Sequence, residues 1–320
     1  MKNVYVFGEC MIELRVDKTL NSLENGTSPK ILKQSFAGDV LNSAIYLKRT
    51  FPEINTHFVS VLGSDKFSAD MLDFFKQEHI GCDLVFQTES KIPGLYAIET
   101  DGSGERTFSY WRENSAAKEV MSFIHDNEIA QLSLGDLFFF SGISLAVIKP
   151  DDRPLFWEML EKLNHAGVKI VFDPNYRSKM WEVKAQAKEQ FALAFKYAHI
   201  LLPGVDDFDQ LYGIDTLESV LNFCKRYQFD ELVIKNGEDG VLCYIEGQVS
   251  HFYIKPVTQV VDTTSAGDSF NGVYIGARTQ GYDLNHAIKL ASNAAGFVIQ
   301  HSGAIIEKKA YKAFISTQQI

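Results

Sequence analysis

Strand-like and helix-like segments alternate along most of this chain, and this alternation restricts its fold more than any other feature. From about Phe138 onward, short apolar runs alternate with segments whose apolar residues recur at helical spacing, and the start of the chain is similar. Repeated βα units of this kind predict an α/β fold in which helices cover both faces of a mostly parallel sheet. The predicted strands are 4–8, 57–62, 137–142, 168–173, 199–202, 231–235 and 260–262, and the predicted helices are 42–49, 67–79, 154–166, 185–198, 216–227, 266–281 and 284–300.

Two stretches interrupt the alternation and predict a small second sheet. Residues 94–100 and 105–112 are rich in strand-forming side chains, and the connecting 101–104 is a strong hairpin turn. The other stretch follows the first strand and begins with alternating apolar and polar residues before a polar turn. Ligands of open α/β folds bind beyond the carboxyl ends of the strands, where a flap serves as a lid. We predict a single domain over 1–320 with lid segments at about 9–35 and 88–113.

The composition argues against several classes of protein. The net charge is −10 without a long run of either sign, whereas a nucleic-acid binder would show a basic face. No apolar run approaches the roughly 20 residues that a membrane span needs. The four cysteines are far apart and form no CxxC pair, which argues against a zinc site or a disulfide framework. The N-terminus shows no signal-peptide pattern, so we predict a cytoplasmic protein that binds neither nucleic acid nor membrane.

The segment 262–270, with the sequence DTTSAGDSF, carries the clearest chemical signal. It joins a predicted strand to a predicted helix, so the backbone N–H groups of Ala266, Gly267 and Asp268 should point out of a helix start that favours a phosphate. A carboxylate repels a bound anion. One explanation of Asp268 is that it acts as a base and takes a proton from a hydroxyl group attacking phosphorus. The alternative is that Asp268 only caps the helix and Gly267 only permits the turn.

Further polar residues lie beside predicted helix starts and strand ends. Gly38 permits close backbone approach, and Asp39 and Asn42 present polar groups near a helix start, although simple N-capping by Asp39 explains the same pattern. Arg112 and Arg177 each lie at a predicted strand end beside tyrosines, and arginine forks bind carboxylates and phosphates. For either arginine alone, a surface salt bridge is the alternative. Together they indicate an anionic ligand.

Taken in order, these segments resemble the ribokinase (PfkB) family of carbohydrate kinases over essentially the whole chain. Residues 262–270 are similar to the DTxGAGD signature of that family, and 38–42 are similar to its GGxxxN motif. The resemblance implies a ribokinase-like three-layer α/β/α sandwich with a β-sheet lid, which uses ATP and Mg²⁺ to phosphorylate a sugar hydroxyl. Similarity to members that act on the sugar acid 2-keto-3-deoxygluconate lies in the segments 8–14, 110–112, 140–146, 175–177 and 303–306.

The resemblance also implies roles for individual residues. Asp268 matches the catalytic base, and Ser265, Ala266 and Gly267 match the anion hole, which also contacts the nucleotide. Asp262 and Thr264 match a loop that holds a monovalent cation in some members. The positions implied to contact the sugar acid, besides Asp268, are Gly38, Asp39, Asn42, Tyr96, Tyr110, Arg112 and Arg177. The positions implied to contact the nucleotide are Asn175, Lys235, Asn236, Gly237, Gly240 and Asn293. Read alone, the turn 235–240 is equally a hairpin turn.

Three positions depart from the family pattern. Ser265 replaces the first glycine of GAGD, and a small residue there should still permit the turn. Ala37 replaces the first glycine of GGxxxN, which reduces backbone freedom. Gly204 and Asp207 stand where the family commonly has the asparagine and glutamate of an NxxE element near the metal. Aspartate is shorter than glutamate, so we expect contact between Asp207 and Mg²⁺ to need a bridging water.

The leading hypothesis is transfer of the ATP γ-phosphoryl group to the terminal hydroxyl of 2-keto-3-deoxygluconate, because a carboxylate substrate explains Arg112 and Arg177. A kinase for another sugar, such as fructose or a related ketose, is the nearest alternative. A catalytically inactive sugar sensor on the same fold is a second alternative, which the presence of Asp268 argues against. Apolar lid residues could pack against a second lid in a homo-oligomer or against their own strands; they are Leu95, Ala97 and Trp111.

Overall fold

The computed structural model of the protein describes residues 1–16, 31–100 and 106–318. The predicted hairpin turn at 101–104 and part of the predicted lid segment 9–35 lie outside the described residues. The strands are β1 (Asn3–Phe7), β2 (Met11–Val16), β3 (Leu32–Ala37), β4 (Asn55–Gly63), β5 (Gly81–Thr88), β6 (Gly94–Thr100), β7 (Arg106–Trp111), β8 (Leu137–Ser141), β9 (Lys169–Asp173), β10 (Ile200–Leu201), β11 (Glu231–Lys235), β12 (Val241–Ile245) and β13 (Gln248–Phe252). The α-helices are α1 (Asp39–Thr50), α2 (Lys66–Gln77), α3 (Asp126–Leu132), α4 (Gly142–Val147), α5 (Arg153–His165), α6 (Lys184–Tyr197), α7 (Val205–Tyr212), α8 (Leu217–Cys224), α9 (Ala266–Thr279), α10 (Leu284–Val298) and α11 (Lys308–Ile315).

Within the described residues, nine strands form one large sheet in the order β13-β12-β11-β10-β9-β8-β1-β4-β5. Neighbouring strands from β11 to β5 run parallel, whereas β12 and β13 add an antiparallel edge. Parallel neighbours need crossover connections, and the helices between the strands supply them. The predicted α/β fold with a mostly parallel sheet is confirmed. None of the described helices combines the length and the apolar character needed to cross a membrane.

Alternate side chains of each central strand enter two different hydrophobic cores. In β1, Tyr5 and Phe7 belong to a core that includes side chains of α5, α6, α7 and α8. Val4 and Val6 belong to a second core that includes side chains of α1, α9, α10 and α11. Successive strand side chains point to opposite faces of a sheet. Helices therefore cover both faces, which confirms the predicted three-layer arrangement.

A separate sheet of four described strands has the order β3-β2-β6-β7 and is called the lid sheet below. Strand β2 pairs antiparallel with β3 and parallel with β6, and β6 pairs antiparallel with β7, which sets Tyr96 opposite Tyr110. Strand β2 follows β1 after a break of three residues, 8–10. The lid sheet therefore begins at the carboxyl end of a central strand of the large sheet.

Helices α1 and α9 pack directly against each other on one face of the large sheet. Gly272 of α9 permits this contact, because a Cβ atom there would lie 2.1 Å from the carbonyl oxygen of Ser43 in α1. Close packing of the two helices brings their first turns together. These turns contain Asp39 and Asp268, two of the predicted site residues.

The predicted strand at 260–262 is wrong. These residues lie outside any strand, and the N–H groups of Val261 and Asp262 donate to the carbonyl of Ile299 at 2.8 and 3.1 Å. The side chains of Val260 and Val261 are 54% and 62% exposed. β-Branched residues form strands where a pleated, half-buried surface is available. This segment has no such surface, and β13 forms the edge of the large sheet instead.

Candidate active site

Four aspartates lie at the carboxyl edge of the large sheet, near enough for their charges to change one another's pKa values. Asp173 ends β9, and Asp39, Asp207 and Asp268 lie in the first turns of α1, α7 and α9. Burial raises the pKa of Asp39, Asp207 and Asp268, and the charge of Asp173 raises all three further. Carboxyl groups whose pKa values are raised by burial and by one another are typical of sites that move protons or bind cations.

Asp268 is held by an amide from the neighbouring helix. Asn42 Nδ2 donates to Asp268 Oδ2 at 2.8 Å. Burial and the charge of Asp39 raise the pKa of Asp268, the bond from Asn42 opposes them, and the resulting pKa is about 7. A carboxyl group that titrates near neutral pH is suited to accept a proton. The bond to Asn42 ties Asp268 to α1 rather than to its own first turn, which argues against the capping alternative.

The turn before α9 forms with serine where the family pattern has glycine. Ser265 has φ +65° and ψ +13°, the left-handed region that glycine favours. The N–H of Ala266 donates to the carbonyl of Thr263 at 3.3 Å, so this predicted anion-hole donor already has a long hydrogen bond. Gly267 follows in the first turn, where N–H groups have no acceptor within the helix. A Cβ atom at Gly267 would lie 4.0 Å from Lys235 Nζ, so the helix start faces a positive charge.

Lys235 belongs to a hydrogen-bonded triad with Asn271 and Asp173. Its Nζ donates to Asn271 Oδ1 at 2.8 Å and lies 3.5 Å from Asp173 Oδ1, while Asn271 Nδ2 donates to Asp173 Oδ2 at 2.7 Å. Sequence reasoning assigned no role to Asn271 or Asp173. The available signal was that Asn271 lies three residues after Asp268, which places both on one face of α9.

The carboxylate of Asp39 is held by two polar side chains. Asp39 Oδ2 accepts hydrogen bonds from Ser141 Oγ at 2.5 Å and from Asn175 Nδ2 at 3.0 Å. Asn175, which the resemblance implies contacts the nucleotide, therefore contacts Asp39, which it implies contacts the sugar. Gly38 precedes Asp39 where β3 passes close to the chain after β1. A Cβ atom at Gly38 would lie 2.2 Å from the carbonyl oxygen of Glu9, so only glycine fits.

Both predicted anion-binding arginines contact a carboxylate of the protein itself. Arg112 forms an ion pair with the buried Glu9 and donates to Met180 Sδ at 3.5 Å. Arg177 Nη1 lies 3.4 Å from Asp207 Oδ1. Each arginine therefore forms a salt bridge within the protein, which was the alternative to ligand binding considered for it. A guanidinium has five N–H donors, so these contacts leave each arginine further capacity to bind a ligand.

Two tyrosines extend the arginine site onto the lid sheet. Burial raises the pKa of Tyr110, and the charges of Arg112 and Arg177 act in the opposite direction, so both guanidinium groups lie within electrostatic range of its hydroxyl. The rings of Tyr110 and Tyr96 are stacked with their centroids 5.7 Å apart. The Tyr96 hydroxyl donates to the buried carboxylate of Glu13. Four of the predicted sugar contacts, Tyr96, Tyr110, Arg112 and Arg177, are thus neighbours.

Asp207 and Asp173 are the carboxylates that fit a magnesium ion. Asp207 Oδ1 accepts the N–H of Tyr176 at 3.0 Å, and burial together with the charge of Asp173 raises the pKa of Asp207. A divalent cation would relieve this repulsion. Mg²⁺ in kinases binds one or two carboxylates together with substrate phosphates. The described part of the chain holds no group of three His, Cys, Asp or Glu side chains that could bind a metal ion alone.

Residues 235–240 form the turn of a hairpin, because β11 and β12 are antiparallel. The turn is closed by the N–H of Asn236, which donates to the carbonyl of Gly240 at 2.9 Å. Gly237 and Gly240 have φ of +52° and +104°, which glycine adopts without strain. The turn holds the position of Lys235, whose ammonium group faces the start of α9.

Asn293 lies on α10 and lines a cavity of about 470 Å³. The opposite wall comes from the segment after β13 and includes Tyr253 and Thr258. Asn293 Nδ2 donates to Gln318 Oε1 at 2.9 Å. The cavity is open to solvent, since Tyr253 on its wall is 95% exposed.

Asp262 is bound by two neighbouring loops. Its Oδ1 accepts the N–H of Thr264 at 2.9 Å, and its Oδ2 accepts the N–H of Gly303 at 2.9 Å. The guanidinium of Arg15, from the lid sheet, lies 4.0 Å from Asp262 Oδ2. A positively charged side chain therefore lies beside the residues implied to hold a monovalent cation.

Comparison with known proteins connects this arrangement to one family of enzymes. The model of the pfkB family carbohydrate kinases matches residues 1–310. The chain is 37% identical to the 2-dehydro-3-deoxygluconokinase of Haemophilus influenzae, over 97% of each chain. It is 36% identical to the 2-dehydro-3-deoxygluconokinase of Escherichia coli K12, over 98% of this chain and 99% of that protein.

Solved structures share the fold. The 2-dehydro-3-deoxygluconokinase of Thermotoga maritima superposes with a TM-score of 0.81 at 20% identity, covering 99% of this chain and 100% of that chain. The fructokinase of Xylella fastidiosa with bound ATP superposes with a TM-score of 0.80 at 20% identity, covering 98% of each chain. The predicted ribokinase-like fold is therefore confirmed, and the chain belongs to the pfkB family of carbohydrate kinases.

Proposed function

We propose that this protein transfers the γ-phosphoryl group of ATP to the terminal hydroxyl group of 2-keto-3-deoxygluconate. The observation that carries the proposal is the buried carboxyl group of Asp268 at the start of α9, whose pKa burial raises to about 7 and which Asn42 holds in place. The choice of substrate is supported by the identity of 36% to 37% to 2-dehydro-3-deoxygluconokinases over nearly the full length of the chain.

Asp268 acts as the general base in this proposal. Its ionised carboxylate accepts the hydroxyl proton while the hydroxyl oxygen forms a bond to the γ-phosphorus and the bond to ADP breaks. The amide of Asn42 favours the ionised form and orients it. The charge of Arg177 acts in the same direction on the pKa of Asp268. Both contacts keep a useful fraction of the base ionised at neutral pH.

The start of α9 binds the transferred phosphoryl group. Backbone N–H groups at Ser265, Ala266 and Gly267, the helix dipole and the ammonium of Lys235 together favour negative charge at this point. Mg²⁺ would be held by Asp207 and Asp173, and when bound it supplies positive charge to the ATP phosphates. The cavity beside Asn293 suits the nucleotide base. ATP use is supported by the bound ATP in the Xylella fastidiosa fructokinase.

The carboxylate of the sugar acid is bound by the arginine and tyrosine side chains at the lid sheet. Arg112 and Arg177 each pair with one protein carboxylate and keep further N–H donors for a ligand, and Tyr110 lies within electrostatic range of both. Guanidinium groups bind carboxylates through paired N–H donors, which a neutral sugar does not require. This set of side chains therefore favours an acid over a ketose such as fructose.

We also propose that the lid sheet covers the site and that its outer face pairs with a second copy of the chain. That face borders a cavity of about 920 Å³, and Trp111 on it is 59% exposed. A large exposed apolar side chain beside such a cavity is typical of an interaction surface. The apolar side chains of the lid sheet that line the cavity are Leu14, Leu32, Leu95, Ala97 and Trp111.

A substrate panel tests the proposed function. ADP release is measured with 2-keto-3-deoxygluconate, other keto sugar acids, fructose and related neutral ketoses, for the natural protein and for Asp268→Asn. We expect the keto acid to give the highest kcat/KM and the variant to bind it with almost no turnover. A neutral ketose as the best substrate would overturn the substrate assignment. A variant with a normal kcat would overturn the role of Asp268, and absence of any sugar-dependent ADP release would favour the sensor.

A further inference from the structure

Arg15 is a charged residue of the lid sheet that the proposed reaction does not use. It lies on β2, and its guanidinium group extends to the loops on the far side of the site. Nη1 donates to Ser302 Oγ at 2.7 Å and lies 4.0 Å from Asp262 Oδ2, while Nη2 donates to Glu13 Oε1 at 2.6 Å. The Arg15 side chain is 21% exposed; its bond to Glu13 is partly buried, whereas its bond to Ser302 lies at the surface.

Gly303 shows how closely the guanidinium group approaches the Asp262 loop. A Cβ atom at Gly303 would lie 3.0 Å from Arg15 Nη1 and 3.1 Å from Nη2. Gly303 also has φ +103°, and its N–H donates to Asp262 Oδ2 at 2.9 Å. Arg15 and Asp262 therefore both lie next to Gly303. The guanidinium group therefore lies at ion-pairing distance from the carboxylate that is implied to hold a monovalent cation.

Asp262 in turn stabilises the turn that leads to α9. Its Oδ1 accepts the N–H of Thr264, and Ser265 follows in the left-handed conformation that starts the helix. A second set of contacts runs from Arg15 toward the sugar site, because Glu13 accepts hydrogen bonds from Arg15 and from the Tyr96 hydroxyl. Arg15 thus joins a residue of the predicted sugar site to the loop before the predicted anion hole.

We propose that Arg15 is the resident cation of the Asp262 loop and positions the anion hole in place of a monovalent metal ion. Asp262 and Thr264 match residues that hold such an ion in some relatives, but here a permanently charged guanidinium group from the lid sheet supplies the positive charge. The protein should therefore show no specific requirement for potassium. The expected effect on phosphoryl transfer rests on the proposed function, whereas the interaction of the Arg15 guanidinium group with Asp262 does not.

The experiment removes the guanidinium group and asks whether a small cation replaces it. Arg15→Ala is compared with the natural protein in KCl, NaCl and tetramethylammonium chloride at equal ionic strength. The readouts are the melting temperature without substrate and the rate of ADP release. For the natural protein we expect the same melting temperature and, within about twofold, the same rate in all three salts. For the variant we expect roughly a tenfold lower rate in tetramethylammonium, with partial recovery of rate and melting temperature in KCl or guanidinium chloride at low concentration.

Two matched variants separate the role of the charge from that of packing. Arg15→Lys keeps a positive charge beside Asp262 and should remain insensitive to potassium. Ser302→Ala removes one hydrogen bond of Arg15 but leaves the guanidinium group, and it should behave like the natural protein. A potassium-specific rise in the melting temperature of the natural protein would overturn the proposal, and so would a loss in Arg15→Ala that no cation restores. The melting temperatures of the natural protein and of Arg15→Lys in the three salts decide the matter even if 2-keto-3-deoxygluconate proves not to be the substrate or if Arg15→Ala does not fold.

Discussion

Replacement of Asn42 by alanine should move the pH dependence of the reaction in a defined direction. The amide donates to Asp268 at 2.8 Å and thereby lowers the pKa of that carboxyl group. Without this donor the neutral form of Asp268 becomes relatively more favourable. If Asp268 must be ionised to act as a base, the acid limb of the kcat/KM profile moves to higher pH.

The size of the shift follows from the hydrogen bond. A bond to a charged group contributes about 1.5–3 kcal/mol, and one pH unit corresponds to about 1.4 kcal/mol. Water entering the space left by Asn42 replaces part of this contribution, so we take the lower end and expect a shift of about one pH unit. Since the pKa of Asp268 is about 7, the variant should lose roughly fivefold in rate at pH 7, and most of this loss should disappear near pH 9.

The assay is ADP release from pH 5 to 10 at low concentrations of the sugar acid. Asn164→Ala provides a control, because this exposed asparagine lies near the end of α5, remote from the carboxyl edge of the large sheet. It should leave the profile unchanged. An acid limb that stays in place in Asn42→Ala while the rate falls equally at all pH values would refute the assignment of Asp268 as the titrating base.

Three further predictions test the remaining assignments. Asp268→Asn should be more stable than the natural protein above pH 7. The pKa of Asp268, about 7, exceeds the ordinary 3.8. The natural protein therefore loses stability as pH rises from about 4 to 7, by up to roughly 4 kcal/mol, whereas the variant has no carboxyl group to ionise there. Thermal unfolding of both proteins at pH 5 and pH 8.5 measures this, and an equal difference at both values would contradict it. Arg112→Ala or Arg177→Ala should raise KM for the keto acid by roughly tenfold or more and KM for any neutral sugar much less; equal effects would count against carboxylate recognition. Light scattering should show that the natural protein is a dimer and that Trp111→Ser is a monomer, because Trp111 is a large exposed apolar side chain of the lid sheet. A natural protein that is already a monomer would disprove pairing through the lid sheet.

Much of the fold was predictable because strand and helix periodicity is a local property. The apolar runs at β1, β8, β9 and β11 alternate with helices in the structure as predicted. The exception at 260–262 has β-branched residues but no sheet surface to cover. The lid sheet was also foreseeable in outline, since both of its halves interrupt the alternation.

The sequence pointed to individual candidate site residues but not to the contacts between them. The helix-start pattern around Asp268 and the polar residues at Gly38–Asn42 indicated two segments that the structure brings into contact. Nothing in the sequence indicated that Arg112 pairs with Glu9 or that Asn175 contacts Asp39. Asn271 was overlooked, although its position three residues after Asp268 places both side chains on one face of α9.

The sequence by itself therefore determined the order of strands and helices, the family, and the helix start that carries Asp268, because each depends on residues close together in the chain. Only the tertiary structure decided the charge environment of that carboxyl group. Asn42 and Asp268 are 226 residues apart, yet their side chains form a hydrogen bond. The pKa of Asp268 depends on burial and on charges from distant segments, so it arises only when α1, β9 and α9 pack together. The contact between Arg15 and Asp262 has the same origin.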